Sequence, residues 1–129
     1  MTRERLATIT SSVGAGLLFA TAGFHMSAYG PVTAQAPADI RPLLAGLWVA
    51  TGISLMLAAL LVIAVAPIRA YRRRAILLIA ALTPFAIAVI QLIYIGFIPP
   101  TASLLLDTVV IVGAAVLGHE SQPVAAPAD

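Results

Sequence analysis

Among the side chains able to move a proton or hold a polar ligand, Asp107 stands in the least expected place. It interrupts the apolar run TASLLLDTVVIVGAAVLG. If that run is a helix, a rise of about 1.5 Å per residue puts the carboxyl roughly 9 Å inside it. A carboxyl at the centre of a membrane helix costs about 2.5–3.5 kcal/mol on insertion scales, so a retained one points to function. Two plainer readings compete: hydrogen bonding between helices by the neutral acid, and a depth shallow enough to reach interfacial water. The next candidates are His25, Gln91 and Trp48, with Arg41, Tyr29, Tyr94 and Ser103 around them. Asp107 and His25 form a candidate acid–base pair, a proton donor or acceptor and its partner. Gln91 and Tyr94 would orient a substrate oxygen, and Trp48 would form an apolar wall.

Helical spacing groups these residues, because positions three, four and seven apart share a face. Thr21, His25 and Tyr29 form one stripe, and Arg41, Ala45, Trp48 and Gly52 a second. Pro84, Gln91 and Tyr94 form a third, and Ser103 and Asp107 a fourth. Pointing all four inward predicts one polar pocket at one depth. Each member also has a plainer role. Trp and Tyr belong to interfacial belts, a lone His packs, and Gln91 can bridge two helices. Ser12, Gly16 and Ala20 make a stripe of small residues, read as a packing or dimer face.

Several chemistries are excluded. The chain has no Cys, which removes disulfides, thiolate catalysis, Fe–S clusters and Cys-based zinc sites. Its two His, His25 and His119, lie near opposite ends of the expected spans, so one chain cannot hold a haem between them. Asp107 and His25 are the only strong ligands at one depth, so no metal and no cofactor are expected. Gly-rich phosphate loops, GxSxG and HExxH are all missing.

The elements that must position these residues follow from composition. The 129 residues are 61% hydrophobic and 9% charged, against about 45–50% and 25% in soluble domains. A body this small cannot bury that excess, and its long apolar runs exclude disorder. About 20 apolar residues cross a bilayer as a helix. Four segments qualify, at residues 7–28, 40–66, 75–98 and 102–118. Helices are required because lipid offers no partner to backbone groups, and the alternation of a barrel is absent. The first span is too long for a signal-peptide core and is read as retained.

Breakers set the expected boundaries. Gly30 and Pro31 end the first span, and GPVTAQAP reads as a loop. Asp39 stands where an N-cap belongs, with Pro42 in the following turn. Pro67 stops the second span, and Pro99–Pro100 link the third and fourth. Residues 1–118 thus form one all-α domain, an antiparallel four-helix transmembrane bundle, and 119–129 a short disordered tail. Arg3, Arg5, Arg69, Arg72, Arg73 and Arg74 fall on one side and only Arg41 on the other. The positive-inside rule then puts both termini in the cytoplasm and the protein in the inner membrane. The basic residues serve topology and lipid headgroups, so no nucleic-acid partner is expected.

The layout resembles the DoxX-like group of small four-helix bacterial membrane proteins. The likeness rests on a Gly-rich first helix running into a loop (VGAGLLFATAGFHM, then GP), an Arg opening a Gly-containing second helix (IRPLLAGLWVATGISLML), and an acid in the last helix (LLLD). It implies the fold and a link to redox or sulfur metabolism. A first span without an acid and a chain without Asn set it apart from small multidrug transporters and fluoride channels respectively. The residues predict an outward-facing pocket that binds, and by acid–base chemistry transforms, a small lipophilic molecule such as a quinone, isoprenoid or polyketide-like compound. The alternatives are an accessory or assembly subunit of a larger membrane complex, and a proton-coupled exporter acting as a homodimer.

Overall fold

The computed structural model describes residues 2–65, 68 and 70–118. Five helices follow in order: α1 (Arg3–Ser27), α2 (Tyr29–Gln35), α3 (Arg41–Ala64), α4 (Ala70–Tyr94) and α5 (Pro99–Leu117), with no strand among the described residues. Four helical stretches are long and apolar enough to cross a membrane, α1 with α2 counting as one. The expected tail, His119, Pro67 and Arg69 lie outside the described residues.

Local chemistry explains the starts and breaks. Thr2 caps α1 by accepting a hydrogen bond from the Arg5 N–H at 3.4 Å, and Glu4 suits the positive end of the helix. The hydroxyls of Thr8, Thr10, Ser11 and Ser12 each donate to the carbonyl four residues earlier, at 2.8–3.1 Å. These groups are satisfied within their own helix, which makes them tolerable where no water reaches.

The segment expected as a loop after Gly30 is instead mostly helix. The chain bends at Ala28 and resumes as α2, with Pro31 in its first turn. A Pro there removes an N–H that has no intrahelical partner anyway, so it starts this helix rather than ending it. Asp39 does not cap α3. The capping position falls on Ile40, without a side-chain hydrogen bond. Arg41 contributes instead, donating through Nη2 to the Ala36 carbonyl at 3.0 Å and tying the α2–α3 connection. Pro42 lies in the first turn of α3 as expected. Pro99 and Pro100 open α5 rather than lying between helices, and the turn before them is made by Gly96 at φ 96°. That left-handed backbone favours glycine.

Around the bundle the order is α1, α3, α4, α5 and back to α1, each helix packing on two neighbours while α2 rests on α3. Small residues line the seams: Ala7, Gly14, Ala15 and Ala22 on α1, Gly52, Ala58 and Ala59 on α3, Ala80, Ala81 and Ala88 on α4, Ala114 and Ala115 on α5. Lipid tails are as apolar as Leu, so membrane helices associate by close packing, and small residues let backbones approach. Gly14 shows the limit, since a Cβ built there would lie 3.0 Å from Cγ1 of Ile111. Large apolar side chains such as Leu43, Leu57, Leu82, Ile93 and Val109 point outward on α3, α4 and α5. Such a surface suits lipid and not water.

One basic residue departs from a plain topology signal. Arg73 is only 4% exposed, and its guanidinium lies over the last turn of α5, where a Cβ on Gly118 would sit 3.1 Å from Nη2. A cation beside unpaired carbonyls at a helix C-terminus is stabilising.

Candidate functional site

The C-terminal half of α1 and the N-terminal half of α3 are joined by a two-way clasp. The rings of His25 and Trp48 stack with centroids 4.3 Å apart and planes 9° from parallel. Trp48 Nε1–H donates to the His25 carbonyl at 2.7 Å, and His25 Nε2 pairs with the Trp48 carbonyl at 3.0 Å. A carbonyl oxygen only accepts, so Nε2 carries a hydrogen and donates it. Gly52, one turn after Trp48, faces the same α1–α3 seam. A Cβ there would collide with Met26 Sδ and lie 3.7 Å from His25 Cδ2.

This clasp forms one wall of a cavity of about 130 Å³ to which all four long helices contribute. Its polar lining is His25 and Thr21 of α1, Trp48 and Thr51 of α3, and Gln91 of α4, and Leu55, Ile87 and Leu104 supply apolar surface. Gln91 is anchored across the α4–α5 seam, where Oε1 accepts a hydrogen bond from the Thr101 hydroxyl at 3.1 Å. Thr101 is fully buried, and its hydroxyl also lies 3.4 Å from the Gly96 carbonyl. Sequence reasoning passed over Thr101 because a Thr after two Pro reads as a turn residue. Its place three residues before Leu104, on the buried stripe that continues to Asp107 and Ile111, was the available signal. Replacing Thr101 with Val removes the donor and keeps the shape. The expected cost is about 1–2 kcal/mol, because Gln91 Oε1 loses its partner, and it is read by unfolding in bicelles.

Asp107 lies elsewhere. It is fully buried on α5 and lines a separate groove of about 280 Å³ between α1 and α5, with Leu17, Ala20, Thr21, Phe24, Ser103 and Leu106. Thr21, Phe24 and Pro100 border both spaces. The Thr21 hydroxyl faces the carboxyl, yet neither Oδ1 nor Oδ2 closes a hydrogen bond among the described residues.

Comparison with protein-family models, with curated proteins and with solved structures finds no match to this chain.

The expected stripes therefore converge only in part. His25, Trp48 and Gln91 meet in the cavity, whereas Ser103 and Asp107 meet in the groove. The acid–base pair expected from spacing is divided between two spaces. Tyr94 is 82% exposed and lines neither, because one further residue of turn brings Ile95 to the cavity instead. Tyr29 and Arg41 also line neither, Arg41 being held by the Ala36 carbonyl. Among the described residues no group of three His, Asp or Glu is placed to hold a metal.

Proposed function

We propose that this is a multi-pass inner-membrane protein, an antiparallel bundle with both termini in the cytoplasm, whose cavity binds the ring-sized head of a lipophilic molecule. What carries the reading is the cavity itself, an apolar space of about 130 Å³ with His25, Trp48 and Gln91 at its wall. A cavity of about 150 Å³ holds a benzene-sized ligand, so one ring enters and any tail stays among the lipids. Gln91 Oε1 is engaged by Thr101, which leaves the amide NH₂ as the donor Gln91 offers to a ligand oxygen such as a quinone or phenol oxygen. The cavity draws on the C-terminal halves of α1 and α4 and the N-terminal halves of α3 and α5. That grouping suits an up-and-down order, and the excess of Arg at the other ends places the cavity on the outer side. The resemblance to DoxX-like proteins agrees with this layout. Among the described residues Asp107 and His25 make no hydrogen bond to each other, and the proposed activity is binding alone. The accessory-subunit reading rests on Ser12, Gly16 and Ala20, which are exposed on α1 and open to a partner helix.

Native mass spectrometry of protein released from nanodiscs tests the reading. Wild type should retain a defined non-phospholipid mass, and Thr51→Phe, which fills the cavity, should lose it. Retention of the same mass by Thr51→Phe, or a wild-type chain carrying nothing, would overturn it.

A further inference from the structure

The groove between α1 and α5 has a chemistry of its own, and its lining is rich in acceptors and poor in donors. Both Asp107 oxygens are buried, with the Thr21 hydroxyl facing them, and neither closes a hydrogen bond among the described residues. The Ser103 hydroxyl already donates to the Pro100 carbonyl at 2.8 Å, so it offers lone pairs. Pro99 and Pro100 carry no N–H, which strips the start of α5 of donors that helix N-termini ordinarily present to anions. Among the described residues no Lys, Arg, His, Asn or Gln lines the groove. Its remaining walls are apolar, with Leu17, Phe24 and Leu106 opening to the exterior.

A ligand that satisfies such a site must bring donors and positive charge at one end and an apolar body at the other. We propose that the α1–α5 groove is a binding site for a lipophilic amine, whose ammonium group is held by Asp107 with Thr21 and Ser103 and whose apolar part lies on Leu17, Phe24 and Leu106. A charge-assisted hydrogen bond from an ammonium to a carboxylate is about twice as strong as a neutral one, and Phe24 adds an aromatic face to the cation. An anion meets the Asp107 carboxyl and finds no cationic or amide side chain among the groove's lining residues. A neutral alcohol offers one donor to several acceptors and no charge. The site adjoins the cavity, sharing Thr21, Phe24 and Pro100 with it, and does not depend on a ligand being bound there.

The test uses the full chain in nanodiscs and three probes of one shape: phenethylamine, phenethyl alcohol and 3-phenylpropanoate. Binding is measured by equilibrium titration against empty nanodiscs, with the ¹³Cγ signal of Asp107 followed in parallel. Phenethylamine should bind at least tenfold more tightly than the alcohol, the propanoate should not bind, and the Asp107 signal should shift. Asp107→Asn should weaken amine binding at least tenfold. Ala20→Phe blocks the groove while leaving the carboxyl in place, and should do the same. Thr51→Phe, which fills the neighbouring cavity, should leave amine binding within twofold. An amine that binds Asp107→Asn and Ala20→Phe as well as wild type, or no better than the alcohol binds wild type, would overturn the proposal. An amine lost only in Thr51→Phe would also overturn it, by placing the ligand in the cavity.

Discussion

Replacing Trp48 with Ala is expected to cost about 3 kcal/mol of stability and to abolish retention of any cavity ligand. The substitution removes a ring stacked 4.3 Å from His25 and the 2.7 Å hydrogen bond from Nε1 to the His25 carbonyl. A stacked aromatic pair contributes about 0.5–1.5 kcal/mol beyond its buried area, and the hydrogen bond about 1 kcal/mol. Loss of the ring's own packing supplies the rest, below the 3–5 kcal/mol typical of fully buried Trp because Trp48 is only half-buried. Trp48→Phe separates the contributions. It keeps a ring over His25 and loses only the donor, so it should cost about 1 kcal/mol. Steric-trap unfolding in bicelles reads both numbers. An interfacial anchor would behave differently, since its ring would tolerate Phe with no loss and its removal would leave the α1–α3 seam unchanged. A double-mutant cycle with His25→Ala should then show coupling, because the two residues bond reciprocally.

How far the sequence reached follows from what each signal measures. Length and hydropathy mark the four long apolar stretches, because a bilayer demands about 20 apolar residues whatever packs against them. That His25, Trp48 and Gln91 share one level along the bundle was legible from counting residues along each helix, and the three line one cavity. Rotation about the axis was legible to within about one residue. Tyr94, the last residue of α4, is exposed while Ile95 just after the helix lines the cavity, and Asp107 lines the groove between α1 and α5. Which helices are neighbours is not a property of any one segment. Gly52 and Thr101 owe their importance to Met26, His25 and Gln91 across a seam, so neither stands out alone. Gly30–Pro31 misled for a different reason: the pair that ends a helix can equally occupy the first turn of the next.

Asp107→Leu is expected to make the protein more stable, by up to about 3 kcal/mol. Unfolding in bicelles leaves the separated helices in the bilayer, where the carboxyl can reach interfacial water, whereas the fold buries it; burying a polar group unpaired costs about 1–3 kcal/mol, and Leu escapes that cost. Part of that penalty is usually recovered through hydrogen bonds inside the fold, but here neither carboxyl oxygen closes one among the described residues, so little is recovered. Leu has nearly the same length and keeps the α1–α5 seam filled. A carboxyl acting as interhelical glue gives the opposite sign, because its removal would strand the partner it holds. Steric-trap unfolding of wild type, Asp107→Asn and Asp107→Leu decides the matter. A gain for Leu, together with loss of phenethylamine binding, would mean that the fold bears the cost of this acid for the sake of a ligand, a trade common at binding sites. A loss of 1 kcal/mol or more for Leu would return Asp107 to a structural role. The sign matters more than the size, because only a group with no partner in the resting fold can be replaced at a profit.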